Sequence, residues 1–213
     1  MLNPFNLNAK AHINILESDR QIVEKIHKAY AEELNVYISK RKQQILRATQ
    51  AYCVNALRAS PEIQSLAGGV LKGDFGLISN PGPAIIQSVS NSVVVKLTPV
   101  KASGKVFTGG ITILIQPTDF SNLYALPDAS QPIRGGSIPW LKWLLELGDT
   151  VIIADFGVEY GPFGRSGQAR MTQKTRPFKV NSVYSGTSDD NFISRAFAVS
   201  ENQLISELTK VIN

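Results

Sequence analysis

Few side chains in this sequence can do covalent chemistry, and their spacing limits what they could do. His12 and His27 are the only imidazoles in the 213 residues. A nucleophilic relay needs a base oriented by a carboxylate and a nucleophile presented on a tight turn. No G-x-S-x-G occurs, and His27 is flanked by Lys28. Both histidines therefore read as solvent-facing or packing residues. Cys53, between Tyr52 and Val54, reads as a small buried hydrophobe. One cysteine cannot form an intrachain disulfide, and two histidines cannot complete a zinc site. Ser103-Gly104-Lys105 is a fragment of a phosphate-binding loop, but the upstream Gly and the following Ser or Thr are missing. Gly161-Pro-Phe-Gly-Arg-Ser-Gly167 could offer amides to an anion, yet it lacks a strand-turn-helix context. Asp189-Asp190 suits a helix start better than a metal. Trp140 and Trp143 sit three apart among leucines, which favours core packing over base stacking, since stacking needs exposed rings beside cations. No cofactor and no metal is expected, and the chain reads as non-enzymatic.

Charge adds a second kind of candidate. The net charge of +5 and pI near 9.3 permit an acidic or nucleic-acid partner without requiring one. From Phe75 to Thr118 there is no acid, only Lys96, Lys101 and Lys105. From Gly161 to Ser188 there is again none, with Arg165, Arg170, Lys174, Arg176 and Lys179. These clusters are either solubilising charge on hairpins and loops or a positive surface for DNA or an acidic neighbour. No run of about 18 apolar residues is present, so a membrane span is not expected. The opening MLNPFNLNAKAH lacks the apolar region of a secretory signal.

The elements that must carry these residues follow from periodicity. Ser18 and Gln21 have the form of a capping box. From there Ile22, Ile26, Tyr30, Leu34, Tyr37, Ile45, Tyr52 and Ala56 recur largely at helical spacing, with no Pro or Gly before Ser60. So long a helix rarely serves only its own core, and part of its apolar stripe is expected to meet another chain. Ser60-Pro61 should end it and cap a short second helix, after which Gly68, Gly69, Gly73 and Gly76 suggest a loop. Residues 93–97 and 106–115 read as the strands of a projecting hairpin, with Thr98–Lys105 as the connection. A loop-like stretch from Asp119 to Ser137 follows. Ile138–Leu147 reads as a short enclosed helix, Thr150–Tyr160 as a strand, and Ala169–Thr172 and Phe178–Tyr184 as two further short strands. A last helix should start near Thr187–Asp190. The expectation is an α+β fold: a long N-terminal helix, a central β-hairpin and a mixed or antiparallel sheet, packed by a Trp-rich helix and a C-terminal helix. Residues 1–78 would form the helical region and 79–213 the α+β body, one structural unit overall.

Three segments resemble a known pattern. Leu66, Gly69, Leu71, Gly73, Asp74, Phe75, Gly76 and Leu77 supply an L-x-x-G-x-L-x-G-(D/E)-F-G-L element. Pro139–Asp149 supplies PWLxWLLxxGD, and Ser185–Ala196 a late G-T-x-x-x-N-F-I-x-R-A element, one residue longer between Thr187 and Asn191 than the family's G-T-x-x-N. Together they resemble virion structural proteins of tailed bacteriophages, associated with the neck, head-tail connector or tail-completion region. The loop departs from the family's longer GPNPRSRTG-like stretch and carries Arg165 alone. The resemblance implies a homo-oligomeric ring in the virion that joins the portal-side connector to the tail tube or tail terminator and surrounds the DNA. It casts Gly73, Phe75, Gly76, Trp140, Trp143, Gly186, Asn191 and Phe192 as the core motif. Lys101, Lys105, Tyr30 and Tyr37 are then the subunit-interface candidates, and Arg165, Arg170 and Lys174 the candidates for facing DNA or an acidic partner. Tail terminator, baseplate subunit, sequence-nonspecific DNA-binding protein and a hydrolase with an unrecognised site are the alternatives.

Overall fold

The computed structural model describes residues 16–133, 136–173 and 177–212. The fold is α+β, with a long N-terminal helix, small antiparallel hairpins and a C-terminal helix. Helix α1 runs Asp19–Ala59. It opens with the expected capping box: the Ser18 backbone N–H donates to Gln21 Oε1 at 2.9 Å and the Gln21 N–H donates to Ser18 Oγ at 3.4 Å. Ser60 then caps α2 (Pro61–Gly68), accepting from the Ile63 amide at 3.3 Å, with Pro61 in the first turn where its missing N–H costs nothing.

The glycine-rich stretch after α2 is not a plain loop. It forms a short α3 (Val70–Asp74), whose Leu71 amide donates to Ser65 Oγ at 3.0 Å, and then α4 (Gly82–Asn91). Helix α4 was hidden by its Pro and Gly flanks, though Ile85, Ile86 and Val89 turn one apolar face inward.

Strands β1 (Val94–Ser103) and β2 (Val106–Leu114) pair as a hairpin. The strand runs through Pro99 instead of ending at Leu97. A two-stranded ribbon tolerates Pro wherever its missing N–H faces away from the ladder. The turn is thus only Gly104-Lys105, with Gly104 at φ 60.

The stretch Asp119–Ser137 also carries structure: α5 (Ser121–Tyr124), a 3-10 turn (Pro127–Ala129), β3 (Gln131–Ile133) and the start of β4 (Gly136–Ile138). Because Ile138 pairs with Gln131, it is extended, and the enclosed helix shrinks to α6 (Leu141–Leu145). Position 138 precedes Pro139, which disfavours helix there in any case. The strand expected over Thr150–Tyr160 survives only as β5 (Phe156–Tyr160), since Asp155 adopts φ 58 just before it. It pairs with β6 (Ala169–Gln173). Phe178–Tyr184 is not a strand. After one bridge from Phe178 to Ile153, the Asn181 side chain accepts from the Val183 amide at 3.0 Å and turns the chain. Among the described residues the strands therefore form three separate antiparallel pairs and no mixed sheet.

Helix α7 spans Phe192–Ile212 and starts later than Thr187–Asp190 suggested. Asn191 is its cap: Oδ1 accepts from the Ile193 and Ser194 amides at 3.1 and 3.2 Å, and Ser194 Oγ accepts back from the Asn191 amide at 2.9 Å.

The described chain packs as two compact units. One comprises residues up to Ser39 with Leu97–Gly110, and the other comprises Lys40–Lys96 with Ile111 onward. In the larger unit, Trp140, Leu141, Leu144, Leu145, Leu66 and Phe192 are fully buried. A second cluster joins Tyr52, Cys53, Ala56 and Val93.

Candidate functional site

In the larger unit the three motif segments interlock. Gly73 lies where a Cβ would stand 3.2 Å from Ala169 Cβ, so α3 lies close against β6. The neighbouring Asp74 accepts a 2.5 Å hydrogen bond from the Tyr160 hydroxyl on β5. Burial raises the Asp74 carboxyl above its ordinary range, and the bond from Tyr160 offsets only part of that. The Tyr160 hydroxyl is raised in turn, by its own burial first and by Asp74 second. Phe75 stacks at a tilt on Trp140, ring centroids 5.3 Å apart, and Trp140 Nε1 donates to the Asp128 carbonyl at 2.7 Å. Gly186 joins the third segment to the second: its amide donates to Trp143 O at 3.0 Å and its carbonyl accepts from Gly148 N at 2.9 Å. A Cβ at Gly186 would sit 2.1 Å from Leu144 O, so only glycine fits this approach. Trp143 is half-buried and donates to Thr150 Oγ1 at 3.0 Å, at the rim of the core rather than inside it.

Between the first two segments and the β5–β6 hairpin lies a cavity of about 280 Å³, lined by Asp74, Phe75, Ile138, Trp140, Met171 and Phe178 among others. Its walls are largely apolar. Among the described residues no group of three or more His, Cys, Asp or Glu could hold a metal ion. Asp74, the one carboxylate among the described residues of the wall, is bonded to Tyr160.

The loop arginines are engaged locally. Arg165 Nη1 donates to Pro132 O at 2.9 Å. Arg170 pairs with Glu159 across the hairpin at 2.9 Å, and its guanidinium lies 4.5 Å from the centre of the Phe163 ring. Lys179 pairs with Asp149 at 3.1 Å. Two of the five cations read from this acid-free stretch, Arg170 and Lys179, are thus paired with acids from elsewhere. Lys174 lies outside the described residues, as does His12.

The smaller unit brings the other candidates together. Asn35 on α1 acts as an extra strand for β1: its Nδ2 donates to Val100 O at 2.9 Å and its Oδ1 accepts from Val100 N at 2.7 Å. His27 Nδ1 lies 2.6 Å from Gly104 O at the hairpin turn. Phe107 packs edge-on against His27 and Tyr30 at 5.5 and 5.8 Å. His27 is therefore engaged with the hairpin, its ring half-buried. Lys101 and Lys105 are exposed on the hairpin, Tyr37 is half-buried, and Tyr30 keeps 59% of its surface exposed. Ile26 at 60%, Val36 at 54% and Val106 at 61% add apolar surface to the same unit.

Sequence reasoning missed the pair Glu62–Arg195. Glu62 Oε1 accepts from Arg195 Nη2 at 2.8 Å, and its side chain is only 3% exposed. Arg195 also donates to Asp190 at 3.2 Å and Ser185 O at 3.3 Å. The pair lines a groove of about 370 Å³ with Ala59, Pro61, Val199 and Gln203. Arg195 stands inside the third motif segment, which was the one available signal. Its partner is 133 residues away.

No family model, no curated protein and no solved structure matches the chain. The functional reading therefore rests on the geometry above and on the motif resemblance.

Proposed function

We propose that this chain is a non-enzymatic structural subunit of a tailed-bacteriophage virion, a neck or tail-completion protein. It forms a ring at the head-tail junction, joining the portal-side connector to the tail around the DNA path. One observation carries the reading. The three segments that resemble the family, far apart in sequence, meet through Phe75–Trp140 and Gly186–Trp143. The exposed Ile26, Tyr30, Val36 and Val106 support subunit contacts through the smaller unit, because apolar groups there gain by being covered. Contacts between ring neighbours would be heterologous.

Immunogold labelling of intact particles with an antibody against this chain tests the proposal. Gold at the head-tail junction is the expected result. Label at the distal tail would move the chain to the baseplate. Absence from particles that retain their other neck proteins would overturn the proposal.

A further inference from the structure

The second half of α1 carries a charged face that no motif includes. From Leu34 to Pro61 there is no Asp or Glu, while Lys40, Arg41, Lys42, Arg47 and Arg58 fall in this stretch. At about 100° per residue, Lys40, Arg47 and Arg58 lie within roughly 20° of one another around the helix, and at 1.5 Å per residue they span about 27 Å. Gln44, Ala51 and Asn55 fill the same face, and all six residues are exposed. Arg41 points elsewhere, its Nε donating to Val211 O at 3.0 Å. Among the described residues no ion pair involves Lys40, Arg47 or Arg58.

The flanks leave this face positive. On one side is α4, which has no charged residue and meets α1 through Ser90 Oγ and Gln50 O at 3.5 Å. On the other is α7, held by Tyr52 to Phe197 O at 3.1 Å. The acids of α7 are Glu201 and Glu207, and Glu207 is paired with Lys210 at 2.7 Å.

Composition selects the partner. A protein interface needs an apolar, often aromatic, centre, and this face offers only Ala51. Cations spaced among side-chain amides are the donors that phosphate oxygens accept from. We infer that the Lys40–Arg58 face of α1 binds the phosphate backbone of duplex nucleic acid, without sequence preference. The inference does not depend on the head-tail assignment.

Fluorescence anisotropy with the full chain and two unrelated 30-base-pair DNA duplexes provides the test. Both duplexes should bind alike, with affinity falling as salt rises from 50 to 200 mM. The triple variant Lys40→Gln, Arg47→Gln, Arg58→Gln should melt like the parent, because these side chains are exposed and Gln is a good helix former. Its log-log salt slope should be shallower by about 2.7 if each side chain neutralises one phosphate. The variant Arg165→Gln, Arg170→Gln should keep the parent slope. No binding by the parent at 50 mM salt, an unchanged slope in the triple variant, or binding to poly-glutamate but not to DNA would each overturn the inference.

Discussion

Removing the guanidinium of Arg195 tests whether Glu62 is held as a buried charge. The side chain of Glu62 is 3% exposed, against 32% for Arg195, so the two partners are not equivalent. Arg195→Met leaves the Glu62 carboxylate away from water without its 2.8 Å partner. Breaking such a buried pair from one side costs about 3–5 kcal/mol. Glu62 lies in the first turn of α2, where the helix dipole offsets roughly 0.5 kcal/mol. The net cost is then about 2.5–4.5 kcal/mol, and for a chain of this size 1 kcal/mol moves the melting temperature by about 2–4 °C, so a drop of about 5–18 °C is expected.

Glu62→Gln should behave differently. Its amide oxygen still accepts from Arg195, which keeps Asp190 and Ser185 O. The loss should be about 1 kcal/mol, the difference between a charged and a neutral acceptor. The double variant should melt above Arg195→Met alone, because the stranded charge has gone. Thermal and urea melts of the parent and three variants complete the cycle. Equal losses from the two single variants, or a double variant no better than Arg195→Met, would refute burial of Glu62 as the source of the cost.

Asp74→Asn should gain stability relative to the parent as pH rises. The folded chain holds the Asp74 proton to higher pH than the unfolded chain does. The contribution of this group is therefore complete below its unfolded value of about 3.9 and is lost as pH climbs through the folded one. The amide oxygen introduced by the substitution still accepts from Tyr160 and brings no charge to bury, so the gap between the two melting curves should widen as pH rises above about 4. Parallel curves would sink this account. Gly186→Ala places a carbon 2.1 Å from Leu144 O and 2.8 Å from Asn191 Cβ. A loss of about 3 kcal/mol or more is expected from such overpacking, and a parent-like melt would show that the approach is looser than described. The thiol of Cys53 is wholly buried, and burial pushes it up to about 12. A thiol reagent at about pH 8 should leave the native protein unmodified and react in urea. Rapid native labelling would mean that the packing of α1 on Val93 opens readily.

What could be read from the sequence was what local chemistry decides. The Ser18–Gln21 box, the Ser60-Pro61 cap and the apolar enclosure of Leu141, Leu144 and Leu145 depend on residues within a few positions, and each is present. Errors arose where distant partners override local preference. Ile138 is extended because Gln131 pairs with it, and β1 continues past Pro99 while Asn35 satisfies the Val100 backbone 65 residues away. The strand expected from Thr150 fails at Asp155, whose left-handed backbone no hydrophobic pattern announces. The loop cations show the same limit for function. An acid-free gap in the sequence says nothing of Glu159 or Asp149, which the fold brings to Arg170 and Lys179.

Most of the motif residues have structural work inside the larger unit. Gly73 and Gly186 permit backbone approach, Phe75 and Trp140 stack inside the core, and Asn191 spends its side chain on the first amides of α7. Asp74, the one member with a titratable group in the cavity wall, is bonded to Tyr160. If the chain is the ring subunit proposed above, recognition of neighbours falls to exposed side chains outside the motif: Ile26, Tyr30 and Val106 in the smaller unit, and Lys40, Arg47 and Arg58 in the larger. These groups are exposed, and of them Tyr30 also packs edge-on against Phe107. They can change with little cost to folding, since exposed substitutions away from caps and packed contacts commonly shift stability by no more than about 0.5 kcal/mol. Substitutions there would therefore separate loss of a partner from loss of the fold: a variant that melts like the parent yet fails to bind has lost only a contact.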